Sequence, residues 1–150
     1  MHMLGVGILK PMVVLAAWTM VMWLWMGATR LPAIGRLPRP GTPGADRGWT
    51  GAMLDGILPR DVQWKAHNYN HLHEAPTVFY AIALTLALVG RGDGVNTTLG
   101  WVYVALRIAH SIWQATVNKV MPRFILFVLS SLVLIALVLR AVAAVFCAIP

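Results

Sequence analysis

The sequence predicts an all-α integral membrane protein built as a four-transmembrane-helix bundle. Of its 150 residues, 59% are hydrophobic and only 11% are charged, whereas soluble domains carry roughly 25% charged residues. The mean hydropathy is +0.71. The apolar residues also lie in long uninterrupted blocks, not in the narrow period-3.6 stripes of a soluble bundle.

Four blocks, Pro11–Gly27, Leu72–Gly90, Leu99–Val117 and Phe124–Ile149, are each long enough to cover about 30 Å of hydrocarbon at about 1.5 Å per residue. Unpaired backbone groups are costly in lipid, so each block must be a helix or part of a closed barrel, and the alternation of barrel strands is missing. No internal repeat divides the chain, and residues 1–150 read as one membrane domain.

The first block follows Lys10, where a secretory signal would lie. It runs long and ends in Trp23-Leu24-Trp25 without a small-residue cleavage site, so it reads as a retained span. Residues from about 28 to 66 are rich in Pro, Gly and Arg. Pro32, Pro38, Pro40, Pro43 and Pro59 argue against a continuous helix and predict a surface loop. Within it Trp49, Met53, Leu54, Ile57 and Leu58 can form a short interfacial turn. In the second block Pro76 removes the bond to the Leu72 carbonyl, which predicts a kink. The brief Arg91–Thr98 connection makes the second and third helices antiparallel. In the fourth, Cys147 is the single cysteine, which excludes an intramolecular disulfide.

The formal net charge is +7, yet the twelve Lys and Arg residues form no basic run or helix face, so no nucleic-acid partner is expected. Arg30, Arg36, Arg39, Arg47, Arg60 and Lys65 fall in the long loop, and Lys119 and Arg123 in the turn before the fourth helix, all on one side. Lys10 and Arg91 fall on the other. The positive-inside bias puts the loop in the cytoplasm and both termini outside it. Arg107 and Arg140 lie inside apolar blocks, Arg140 near enough to its end to snorkel.

Ionisable groups inside spans usually face a bundle interior or a wet cavity. Around the start of the second helix His67, Asn70, His71 and Glu74 share a face, and along the third Tyr103, Arg107, His110, Gln114 and Asn118 recur every three or four residues. The antiparallel connection brings both stripes to the cytoplasmic level, where Glu74 can meet Arg107, His110 or Gln114. Such a network serves equally as a ligand pocket or as glue between helices. His67 and His71 could chelate an ion with Glu74, but no HExxH arrangement or second ligand set accompanies them, and no metal is expected.

The text Asn68-Tyr69-Asn70-His71-Leu72-His73-Glu74-Ala75-Pro76-Thr77-Val78-Phe79 resembles the helix-two pattern of the MAPEG family, the membrane-associated proteins in eicosanoid and glutathione metabolism, in its bacterial-type members. Leu106-Arg107-Ile108-Ala109-His110-Ser111-Ile112 is similar to the family's helix-three text, and Asn118 through Arg123-Phe124 to the turn before helix four. The resemblance implies a homotrimer of four-helix subunits in contact with membrane lipids, binding glutathione as co-substrate between neighbours near the cytoplasmic face. It implies that Asn70 and Glu74, with His71 beside them, hold the tripeptide backbone. Arg107, His110 and Gln114 line the pocket from helix three, and Arg123 faces the sulfur as the catalytic group. The Asn70-to-Glu74 spacing is four where three is usual in conjugating members, and Gln114 stands where some members have tyrosine. The implied activity is that of a glutathione-dependent transferase or peroxidase acting on a lipophilic small molecule. The alternative is a non-catalytic lipid- or partner-binding protein of the same fold.

Overall fold

In a computed structural model that describes residues 4–37 and 50–147, the chain is helical, and no strand occurs among the described residues. A short 3-10 turn at Val6–Ile8 leads into α1 (Leu9–Gly35), followed by α2 (Gly51–Leu54), α3 (Arg60–His71), α4 (Ala75–Leu88), α5 (Val95–Thr116) and α6 (Val120–Phe146). Two helices are long and apolar enough to cross a membrane, Val6–Gly35 and Val120–Phe146. The other two expected spans differ from these for visible reasons. α5 has the length but carries a buried polar stripe, and the second expected span shortens to the 14 residues of α4, because the break after α3 falls on its first residues.

That break replaces the expected kink. Pro76 lies in the first turn of α4, where an amide hydrogen would have no helical partner anyway, so it begins a helix without bending one. Pro32 behaves differently from the expectation too. It lies inside α1, which continues past Gly27 to Gly35, close enough to the end that the lost bond leaves the last turn helical. The expected loop of about 28–66 is therefore partly helical. Ala33 and Leu37 from the end of α1 pack on Leu54, Leu58 and Val62, and this small apolar cluster holds α2 and the start of α3 in place. Thr50 caps α2 by accepting from the Met53 amide at 3.3 Å, while Met53 and Ile57 stay exposed. Pro38, Arg39, Pro40, Pro43, Arg47 and Trp49 lie outside the described residues, as does Ile149 at the end of the fourth block.

The core is a seam of a/d-type spacing. α1 buries Pro11, Leu15, Thr19 and Met22 in steps of three and four, and Ile8 extends the series. α6 answers with Ser130, Leu134, Leu137 and Ala141. α5 lies between, burying Gly100, Tyr103, Arg107, His110 and Gln114 at the same steps. It packs most extensively on α6 and also meets α1 and α3. Phe79, Ala83 and Leu86 of α4 complete the centre, with the Phe79 and Tyr103 rings 4.6 Å apart.

Outward positions of the two long helices are also apolar: Val13, Met20, Trp23 and Leu24 on α1, and Phe124, Ile125, Leu132, Ile135, Leu139 and Phe146 on α6 are exposed. A contiguous apolar coat of this extent is unusual on a water-soluble monomer. At one end of the bundle the N-terminal segment is clasped by the α4–α5 turn: Gly5 donates its amide to Ala87 and Ile8 to Gly92, each at 3.0 Å, and the Gly7 amide donates to Asp93 Oδ1 at 2.8 Å. The two backbones touch there, and a side-chain carbon on Gly92 would collide with the Gly5 carbonyl.

Candidate functional site

At the opposite end, the break between α3 and α4 sets the geometry. α3 stops at His71, Glu74 stands at the cap of α4, and across the gap His71 Nδ1–H donates to Glu74 Oε2 at 2.5 Å. The last carbonyls of α3 need donors, because a helix end leaves them without intrahelical partners. Arg107, reaching over from α5, donates through Nη2 to the His71 carbonyl at 3.1 Å. A cation suits this end of a helix, where the backbone dipoles leave partial negative charge. Deeper in, Ser111 accepts at Oγ from both Trp18 Nε1 at 2.9 Å and Asn68 Nδ2 at 2.6 Å, tying α1, α3 and α5 to one oxygen.

From the other side, the α5–α6 turn is built on Asn118, which adopts a φ of 52° and accepts at Oδ1 from Arg123 Nη1 at 2.7 Å. Asparagine is among the few residues that enter this left-handed region readily. The bond holds Arg123 in the first turn of α6, half-buried.

Between these two walls lies a cavity of about 410 Å³. That is within the range of small-molecule sites. Its polar lining is His67, His71, Glu74, His110, Gln114 and Arg123, and Phe124 and Phe127 form an apolar wall. The His71 ring lies 5.1 Å from that of His110 and 5.8 Å from that of Phe127. Gln114 Oε1 is buried without a hydrogen-bond partner, so it can accept from a bound molecule. With Glu74 and Arg123 both on its lining, the cavity offers one anionic and one cationic group to a zwitterionic ligand.

Five of the seven residues singled out from the sequence thus line one space: His71, Glu74, His110, Gln114 and Arg123. The other two stand elsewhere within the single chain. Asn70 is exposed and outside the lining, since one residue step turns it about 100° around α3 from His71. Arg107 is 1% exposed and serves the end of α3, and no Glu74–Arg107 ion pair forms. His67 joins the lining and also contacts Asp55 Oδ1 at 3.0 Å, so the two histidines of the i, i+4 pair contact different carboxylates. Asn68 and Ser111 went unremarked as site residues although both are buried. For Asn68 the available signal was its place one turn before Leu72, on the inward side of α3.

Among known proteins, the sequence pattern of the MAPEG family matches residues 8–143. No curated protein and no solved structure matches the chain.

Proposed function

Because the chain belongs to the MAPEG family, we propose that it is a glutathione-dependent membrane transferase or peroxidase that acts on lipophilic electrophiles. The observation that carries the proposal is the convergence of Glu74, His110, Gln114 and Arg123, from three separate stretches of chain, on one cavity. Glutathione brings two carboxylates, an ammonium, two amides and a thiol. Glu74 pairs with the ammonium, and His71 and Gln114 hydrogen-bond the peptide part, with Asn70 reaching the tripeptide from the rim or from a neighbouring copy. Arg123 faces the sulfur. A guanidinium beside a thiol favours its charged form and lowers its pKa from about 8.5, raising the concentration of nucleophile at neutral pH. Phe124 and Phe127 receive the apolar co-substrate, whose electrophilic carbon forms the new bond to sulfur as its leaving group departs.

In the same proposal the chain is a single domain over residues 1–150 that crosses the membrane four times, α3 and α4 together forming one interrupted crossing. Three copies assemble around a common axis with glutathione bound between neighbours near the cytoplasm, and both termini lie outside, in a bacterial inner membrane. The Lys and Arg bias of the loops supports that orientation.

The test is a glutathione titration on the detergent-solubilised protein. A melting temperature that rises with glutathione, and conjugating activity that falls in Arg123→Ala, support the proposal. Melting unmoved by millimolar glutathione favours a non-catalytic lipid- or partner-binding protein of the same fold. One observation favours that second reading: Arg107 and Asn68 are both occupied in joining helices.

A further inference from the structure

A second cavity, of about 290 Å³, lies at the other end of α5 and α6. From Arg123 to Arg140 along α6 is about 26 Å at about 1.5 Å per residue, close to the thickness of a bilayer's hydrocarbon core, so the two cavities sit at opposite membrane surfaces. The second is lined by Arg91, Asn96, Arg140, Ala143, Ala144 and Cys147. None of these residues belongs to the glutathione proposal.

Its construction is specific. Asn96 is buried, and its amide works in two directions: Nδ2 donates to the Arg91 carbonyl at 2.6 Å, and Oδ1 accepts from Arg140 Nε. The first bond fixes the turn that carries Arg91. The second orients the Arg140 guanidinium, with Nε engaged and the two terminal nitrogens left to form a fork. No carboxylate pairs with either guanidinium among the described residues. Asp93, the acidic residue nearest in the turn, is not on the lining and is engaged by the Gly7 amide. Two arginines therefore share a small cavity with a neutral polar floor and an alanine wall.

We propose that this cavity binds a phosphate group, held between Arg91 and Arg140 at the membrane surface opposite the first cavity. A planar fork matches phosphate oxygens bidentately, and a second guanidinium completes the neutralisation of the anion. The phosphate belongs either to the headgroup of an anionic lipid or to a free phosphate. Exposed Leu139, Val142, Val145 and Phe146 on the same helix turns continue the alanine wall with surface suited to acyl chains.

Cys147, the single cysteine, is exposed on the cavity lining and serves as a native reporter. The experiment follows its maleimide labelling rate in the full-length, detergent-solubilised protein, with phosphatidylglycerol, with diacylglycerol of the same chains, or with inorganic phosphate. Phosphatidylglycerol is expected to slow labelling about tenfold and diacylglycerol not to, with protection lost in Arg91→Gln and Arg140→Gln. Equal protection by inorganic phosphate alone identifies a free phosphate as the occupant and supports the site. Equal protection by phosphatidylglycerol and diacylglycerol overturns the proposal, as does unchanged protection in Arg91→Gln. If Arg140→Gln does not fold, Arg91→Gln decides, because no hydrogen bond from the Arg91 side chain supports the fold among the described residues.

Discussion

Arg107 donates its Nη2 to the carbonyl oxygen of His71, so a side chain from the middle of α5 caps the end of a helix 36 residues earlier in the chain. Its Nε and Nη1 are buried without partners, and no ion pair neutralises it among the described residues. The contact joins the bundle interior to the break between α3 and α4 that shapes the first cavity.

Replacing Arg107 by Ala leaves the end of α3 without this donor and opens space in the bundle. A loss of about 2 kcal/mol is expected, read by reversible unfolding in mixed micelles, with partial recovery in Arg107→Lys. Wild-type stability in Arg107→Ala would show that the capping contact is idle.

Ser111→Ala removes the shared acceptor of Trp18 and Asn68 and strands two donors, the buried Asn68 amide and the partly buried Trp18 indole. The expected cost is about 2 kcal/mol. A double-mutant cycle with Trp18→Phe should show strong coupling, because the phenyl ring no longer asks for the lost oxygen. Strictly additive effects would contradict the shared bond.

Gly92→Ala should destabilise by about 3 kcal/mol, since the added carbon meets the backbone of Gly5 and not a flexible side chain. Gly100→Ala is the comparison: its carbon lies 3.0 Å from Pro11 Cγ, a contact that a small shift of α1 relieves, and about 1 kcal/mol is expected. Thermal melting of the two variants side by side checks the order, and equal melting temperatures would contradict it.

For Arg123→Ala the pH profile separates chemistry from fold. If Arg123 lowers the thiol pKa, the variant's kcat/KM for conjugation falls about 100-fold near pH 6.5, where only the wild type holds much thiolate. The gap closes as pH rises past the free thiol's value of about 8.5, where both are ionised. A pH-independent loss would assign Arg123 a purely structural part through Asn118.

The polar stripe of α5 was legible because Tyr103, Arg107, His110 and Gln114 repeat at helical spacing in otherwise apolar text, and the structure buries all four. His71 and Glu74 were legible for the same reason. The break between them was not, since a proline one turn into an apolar block reads equally as a kink or as the first turn of a new helix. Asn70 and Asn68 are the same residue type two positions apart, and only the docking of α3 against α1 and α5 decides which one turns inward. The helical end of the long loop was hidden for another reason: its support is the packing of Ala33 and Leu37 on Leu54, Leu58 and Val62, partners separated by some twenty residues that local propensity does not register.

The clasp of the amino-terminal segment by the α4–α5 turn bears on biogenesis. Gly7 meets Asp93, 86 residues further on, so α1 leaves the ribosome long before the groove it will occupy exists. In the interim its seam of Ile8, Leu15 and Met22 needs no chaperone if it is already surrounded by acyl chains, which solvate it nearly as well as the finished bundle. Assembly can then end with a late zipping step, in which a segment made early is the last to lock.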